Sequence, residues 1–209
     1  IILPGQVALA VERFDRVWEG KTLRRLPQED ICQSLGFPSA RKYQKAGGPG
    51  IAKIMELLRE SDDPIRDRET FFRAQIFYFL IGASDGHAKN FSLQLGRRGR
   101  FRLAPLYDIL SVAPVVHAGR LQRKRYRLAM SIGGHYGIDE IVPRHFEAEG
   151  KASGLPRNRA LELLAEMADP LGLALERTTL ALAEQVPKSV SDPITSDSMQ
   201  RAEQVRKLL

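Results

Sequence analysis

Phe79-Leu80-Ile81-Gly82-Ala83-Ser84-Asp85-Gly86-His87-Ala88-Lys89-Asn90-Phe91-Ser92 is the stretch from which the rest of the chain is read. Upstream of it, Phe71, Phe72, Ile76 and Phe77 continue an apolar pattern that covers most sides of a helix, which predicts a buried core helix from Asp67 to Gly82. Past Gly82 the chain turns polar, and Asp85 and Asn90 stand in the Asp-x-x-x-x-Asn spacing of a phosphoryl-transfer loop. The spacing has a chemical reason. A carboxylate must accept the proton of the attacking hydroxyl, and a neutral oxygen one loop-turn away can help hold Mg²⁺ on the phosphates. A second carboxylate is needed for the metal, and Asp108 follows 23 residues after Asp85. Between them, Phe91–Leu95 and Arg100–Leu103 flank Gly96-Arg97-Arg98-Gly99 and predict a short hairpin.

The Asp/Asn pair alone is weak, because one specified pair at fixed spacing arises by chance in about half of chains of this length. Asp85 could equally cap a turn, Asn90 close an Asx-turn and Asp108 lie on the surface. The order of core helix, acidic loop, hairpin and second acid favours the functional reading.

Working outward, Gln6 to Phe14 alternate in part and predict a short strand running into a polar connection at Val11-Glu12-Arg13-Phe14-Asp15-Arg16. Pro27 and Gly36 bracket a predicted helix over 27–35. Gly47-Gly48-Pro49-Gly50 is a breaker, followed by a helix through Ile51, Ile54, Met55 and Leu58 up to Ser61-Asp62-Asp63-Pro64. From Ile138 to Leu209 amphipathic helical patterns recur, punctuated by Pro143, Pro156, Pro170, Pro187 and Pro193.

With 209 residues and 43% hydrophobic content the chain can bury one substantial core. Its longest apolar run, Phe71 to Ile81, is broken by Arg73 and Gln75 and is half of what a membrane span needs, so no membrane partner is expected. Ile1-Ile2-Leu3-Pro4-Gly5 has neither initiator Met nor basic n-region, and reads as a start in mid-protein. A lone cysteine, Cys32, fits a cytoplasmic protein. The net charge is +7, concentrated between Gly96 and Arg127, where nine Lys/Arg face one acid. Such a stretch is either a solvated surface or a face for an anionic partner. His117, His135 and His145 lack the i, i+4 spacing of a zinc face.

Five ordered blocks resemble the HipA family of bacterial toxin kinases: Val11–Arg16, Leu26-Pro27-Gln28-Glu29-Asp30, Gly47–Ile51, Phe79–Ser92 and Leu103-Ala104-Pro105-Leu106-Tyr107-Asp108-Ile109-Leu110-Ser111. The resemblance runs from about residue 7 to 150. It implies a mainly α fold: a protein-kinase-like C-terminal lobe related to phosphatidylinositol kinases, with a short hinge strand, one small β-hairpin and otherwise a helical bundle. Residues 1–16 would be the hinge strand and connection from a missing N-terminal lobe. Residues 17–209 would be the C-lobe, with its catalytic loop at 82–92 and its metal-binding segment at 103–111.

The resemblance further implies that Asp85 is the catalytic base and that Asn90 and Asp108 hold Mg²⁺. Glu12, Arg13 and Phe14 would read the adenine of ATP, with His87, Ala88, Lys89 and Tyr107 along the nucleotide. An extended segment offers N–H and C=O groups to a flat base, and Lys89 offers a point charge to phosphate. His87 could instead orient the loop.

The implied partners are a HipB-like helix-turn-helix antitoxin, operator DNA bound through it, and a protein substrate of aminoacyl-tRNA synthetase type, the glutamyl enzyme. Lys151 falls where the family places a DNA-facing basic residue, but Gly154 stands where the second is expected. Arg123, Lys124 and Arg125 could compensate, or face substrate as an activation segment does. Only about six residues precede the hinge, so no Gly-rich phosphate loop or phosphate-gripping Lys lies in this sequence. Two other readings are a kinase-shaped corepressor or scaffold without catalysis, and a lipid kinase, for which no membrane-binding segment speaks.

Overall fold

The computed structural model describes residues 2–3, 6–7 and 10–209, with side chains from residue 10 onward. Among these described residues the fold is mostly helical, with four small antiparallel sheets. Short β1 (Ile2–Leu3) pairs with β2 (Gln6–Val7), and β3 (Arg16–Glu19) pairs with β4 (Thr22–Arg25). β5 (Gln28–Asp30) leads into α1 (Ile31–Ser34), and α2 (Ile51–Leu57) runs on as a 3-10 turn over Leu58–Glu60. The core helix α3 (Pro64–Ile81) is followed by β6 (Ser92–Leu95) and β7 (Phe101–Leu103). Then come α4 (Ala113–His117), β8 (Arg127–Ile132) and β9 (His135–Gly137). Four helices close the chain: α5 (Pro143–Ala152), α6 (Arg159–Ala168), α7 (Leu171–Ala181) and α8 (Lys188–Leu208).

α3 begins where Asp63 accepts from the Arg66 amide and Pro64 takes the first turn, where no N–H is required. Its Phe71, Phe72, Ile76, Phe79 and Leu80 are buried, with Phe71 edge-on to Phe91 at 4.9 Å and Phe79 edge-on to Phe146 at 5.3 Å. Gly82 ends the helix at φ 68°, and a Cβ there would stand 1.5 Å from Tyr126 Oη, which donates to the Gly82 carbonyl at 2.9 Å. Only glycine fits.

The predicted core helix, the hairpin of β6 and β7 and the helical C-terminal third are all present. Four expectations need correction. The single hairpin becomes four sheets, because β3–β4 and β8–β9 form hairpins of their own and β5 adds a third strand beside β6. The helix expected over 27–35 shrinks to Ile31–Ser34: the Pro27 carbonyl accepts from Leu95, and Gln28–Asp30 pair with Gln94–Ser92. The strand expected over Gln6–Phe14 is confined to Gln6–Val7, residues 10–13 being irregular; Ala8 and Leu9 lie outside the described residues. Pro193 lies inside α8 rather than ending a helix. Among the described residues, no helix is long and apolar enough to cross a membrane.

Candidate active site

The loop after α3 is fixed by its own backbone. His87 N–H donates to the Asp85 carbonyl at 2.8 Å, Asn90 N–H to the His87 carbonyl at 2.9 Å, and the Asn90 side-chain amide to the Asp85 carbonyl at 2.8 Å. Asn90 is buried, and with its Nδ2 so engaged its Oδ1 has no hydrogen-bond partner among the described residues. Gly86 is required by packing, since a Cβ would lie 2.5 Å from the Tyr78 ring. The segment carrying Asp108 is stitched to the same junction. Ala83 bridges Ser111, Val112 N–H donates to the Gly82 carbonyl at 3.1 Å, and Ser111 Oγ donates to the Ile81 carbonyl at 2.6 Å. Asp108 is exposed and adopts φ 55°, a left-handed conformation that is uncommon outside glycine and tolerated by Asp. The side chain of Asp85 is 57% exposed.

Beneath these carboxylates lie two buried groups with unmet polar atoms. Tyr78 Oη has no partner among the described residues, and burial, then the charges of Asp108, Tyr107 and Asp85, push its phenol well above the ordinary range. Burial likewise lowers the His87 imidazole below its usual value, so it is neutral at neutral pH, with Nε2 3.9 Å from Asp85 Oδ2 and Nδ1 unpartnered among the described residues. Tyr43 Oη donates to Asp85 Oδ1 at 2.6 Å, and the tyrosine ring stands edge-on to His87 at 4.9 Å.

A cleft of about 420 Å³ opens beside Tyr107, lined by Val11, Glu12, Arg13, Phe14, Asp15 and Gln28. Phe14 and Tyr107 stack with centroids 5.8 Å apart. Tyr107 is fixed through its hydroxyl, 2.5 Å from Ser92 Oγ and 3.0 Å from the Lys89 carbonyl, to which it donates. Among the described residues, the backbone groups of Glu12 and Phe14 have no hydrogen-bond partner. The Arg13 side chain turns onto buried Asp15, with contacts of 2.8 and 2.7 Å.

Thus Asp85, His87 and Asn90 are gathered on one loop, with Asp108 bridged to its base, while Glu12, Arg13, Phe14 and Tyr107 line the cleft. Ala88 is buried in the 3-10 turn between. Lys89 is differently engaged: its ammonium is 2.7 Å from Asp30, which also caps α1. Arg123 grips Asp139 at 2.9 and 2.6 Å and Asp197 at 2.9 Å, so it is an internal tie, while Lys124, Arg125 and Lys151 are exposed. His145 is buried, accepts from Val142 N–H and stacks on His135. The sequence reading missed Tyr43, because nothing in its spacing relates it to Asp85. It also missed Asp30 as the partner of Lys89, although Asp30 before Ile31 carries a helix-cap signal.

A helical lobe that presents an open carboxylate and a side-chain amide on one braced loop, with a second open carboxylate on a segment bridged to the base of that loop, beside an aromatic-lined cleft, has the layout of a phosphotransferase lobe. Comparison with known proteins gives that layout a family. Residues 2–172 match the HipA-like C-terminal domain, and the chain belongs to that family. It is 34% identical over 181 residues to "Putative kinase Y4mE" of Sinorhizobium fredii, covering 84% of this chain and 41% of that protein. It is 29% identical over 189 residues to the serine/threonine-protein kinase toxin HipA of Shewanella oneidensis, covering 84% of this chain and 42% of that protein. A chain from the solved Shewanella oneidensis MR-1 toxin–antitoxin complex of HipA, HipB and operator DNA superposes with a TM-score of 0.82 at 23% identity, over 94% of this chain and 48% of that one. The chain therefore spans less than half the length of these relatives.

Proposed function

We propose that this chain is the C-terminal catalytic lobe of an ATP-dependent serine/threonine protein kinase of the toxin–antitoxin type. The observation that carries the reading is the common frame of Asp85, Asn90 and Asp108: the Asn90 amide is tied to the Asp85 carbonyl at 2.8 Å, and the Asp108 segment is bridged to the loop at Ala83–Ser111. In this reading the stacked Phe14 and Tyr107 face the adenine, and the unpartnered backbone of Glu12 and Phe14 reads its edge. His87, Ala88, Lys89 and Tyr107 run along the nucleotide, with Lys89 oriented by Asp30.

Asn90 Oδ1 and the Asp108 carboxylate are hard oxygen donors, which suits Mg²⁺, an ion usually held by one or two protein groups with water and phosphate completing its shell. When bound, the ion neutralises charge on the phosphates. The chain's own part is proton handling and orientation. Asp85, open on one side, takes the proton of the substrate hydroxyl at a carboxylate oxygen. Neutral His87 packs beneath it without adding a competing positive charge.

The phosphate-covering loop and gripping lysine would come from outside these 209 residues, as expected for a chain matching under half of its relatives' length. The isolated chain should accordingly show negligible phosphate transfer; robust transfer, abolished by Asp85→Asn, would refute the two-lobe part of the reading. By the same kinship, the partners are a helix-turn-helix antitoxin of HipB type with operator DNA bound through it. The substrate is a cytoplasmic protein of the aminoacyl-tRNA synthetase kind, the glutamyl enzyme first. For the site itself, Asp85→Asn in the full-length protein should lower ATP-dependent transfer by about 10²–10⁴-fold while ATP binding persists. Transfer at the wild-type rate would remove Asp85 as the base.

A further inference from the structure

Tyr43 lies outside every family-like block, yet among the described residues it is the one side chain that hydrogen-bonds to the Asp85 carboxylate. Its 2.6 Å bond to Oδ1 is delivered by a built segment rather than by a loose side chain. The preceding carbonyl, of Lys42, accepts from Ala88 N–H at 3.2 Å, inside the loop that carries Asp85. The carbonyl of Tyr43 itself accepts from Ala46 and Gly48, each at 3.0 Å. Gly48 cannot carry a side chain, because a Cβ would lie 2.0 Å from the Arg41 carbonyl oxygen and 2.9 Å from that of Tyr43. The next residue, Gln44, accepts through Oε1 from the Ser131 amide at 2.7 Å and its hydroxyl at 3.2 Å. The phenol is thus anchored to the loop on one side and to β8 on the other. The ring edge against His87 fixes its direction.

We propose that Tyr43 is the positioning residue for the Asp85 base: it occupies Oδ1 and leaves Oδ2 to take the proton of the substrate hydroxyl. The inference rests on the reading of Asp85 as the base. In the step, the O–H bond of the hydroxyl breaks and its proton binds Oδ2. The oxygen's electron pair forms the new bond to the γ-phosphorus of ATP, and the pair of the broken P–O bond leaves with ADP. Tyr43 is suited to hold rather than to act. Its hydrogen bond to Asp85, together with burial, pushes the phenol up to about 12, so it remains a donor across the working pH range.

Tyr43→Phe removes the hydroxyl and keeps the ring on His87. In the full-length protein, with MgATP and glutamyl-tRNA synthetase as the acceptor probe and ADP release as readout, the variant should lose about 10- to 100-fold in kcat. Its KM for ATP should stay within about twofold and its thermal melt should be unchanged, as suits loss of alignment rather than of binding. The double variant Tyr43→Phe/Asp85→Asn should be no slower than Asp85→Asn alone, since both act on one group. Wild-type kcat would overturn the inference, and so would a raised kcat, which would make the phenol a block on the base. Wild-type turnover by Asp85→Asn would instead defeat the underlying reading of the site.

Discussion

Asp197 and Asp85 both act at the C-terminal end of α3, and they are built in opposite ways. Asp197 is 4% exposed, and its oxygens are shared by Arg123 at 2.9 Å, Arg201 at 3.3 Å and His117 at 3.2 Å. Arg201 in turn donates to the Leu80 carbonyl at 2.9 Å, clamping α8 to the helix that presents the loop. Asp85 has an open side chain, one hydrogen bond from a neutral phenol and, among the described residues, no Arg or Lys. A carboxylate whose lone pairs are all taken can only hold the fold. One left half-open on a braced frame can accept a proton. Asp67, buried against Arg102 and the Leu103 amide, and Asp15, ringed by Arg13 and Arg16, belong with Asp197. Asp108 belongs with Asp85.

The comparison is most exposed to failure in stability. Asp197→Ala leaves the buried Arg201 guanidinium without a carboxylate, and should cost about 3–5 kcal/mol in urea unfolding. Asp85→Ala should stay within about 0.5 kcal/mol of wild type, as an open site does. Equal losses at the two positions would break the distinction between holding and reacting carboxylates.

The next effect is in acid. The Arg13 guanidinium hydrogen-bonded to Asp15, with Arg16 beside it, outweighs burial and holds that carboxyl down at about 2. A folded value below the unfolded one, about 3.9, means the stabilisation is complete above that unfolded value and is lost as pH falls toward the folded one. Asp15→Asn should therefore flatten the fall in unfolding free energy between roughly pH 4 and pH 2. An unchanged slope would show that Asp15 does not anchor the segment lining the cleft.

The same contrast explains what was legible in the sequence. α3 is so apolar around its circumference that only a central helix suits it, and the Asp85/Asn90 spacing survives because one short loop makes it. β3–β4 escaped because every position in the hairpin is exposed or half-buried, so no alternation marks Arg16–Glu19 or Thr22–Arg25. β5 escaped because its partner, β6, lies more than sixty residues on, and pairing rather than local pattern makes Gln28–Asp30 a strand. Tyr43 and the α8 hub were invisible for the same reason: Tyr43–Asp85 spans 42 positions and Arg201–Leu80 spans 121. Pro27 was misread because a proline that can open a helix can equally precede an edge strand.

The smallest effect concerns the basic run after α4, where composition treats Arg123, Lys124 and Arg125 alike. The fold separates them. Arg123 is spent on Asp139 and Asp197 and lies over the Tyr126 ring, with its centre 5.4 Å from the ring centroid, whereas Lys124 and Arg125 point to solvent. Reversing Lys124 and Arg125 to Glu should leave unfolding within about 0.5 kcal/mol of wild type, while Arg123→Glu should destabilise clearly, because it sets a third carboxylate against Asp139 and Asp197. If the run faces an anionic partner, the Lys124/Arg125 reversal should weaken binding to a generic DNA duplex and make its salt dependence shallower, each lost phosphate contact reducing the log–log slope by about 1. Binding that is unchanged in strength and slope would return those two residues to a solvated surface, with Arg123 still needed to hold α8 in place.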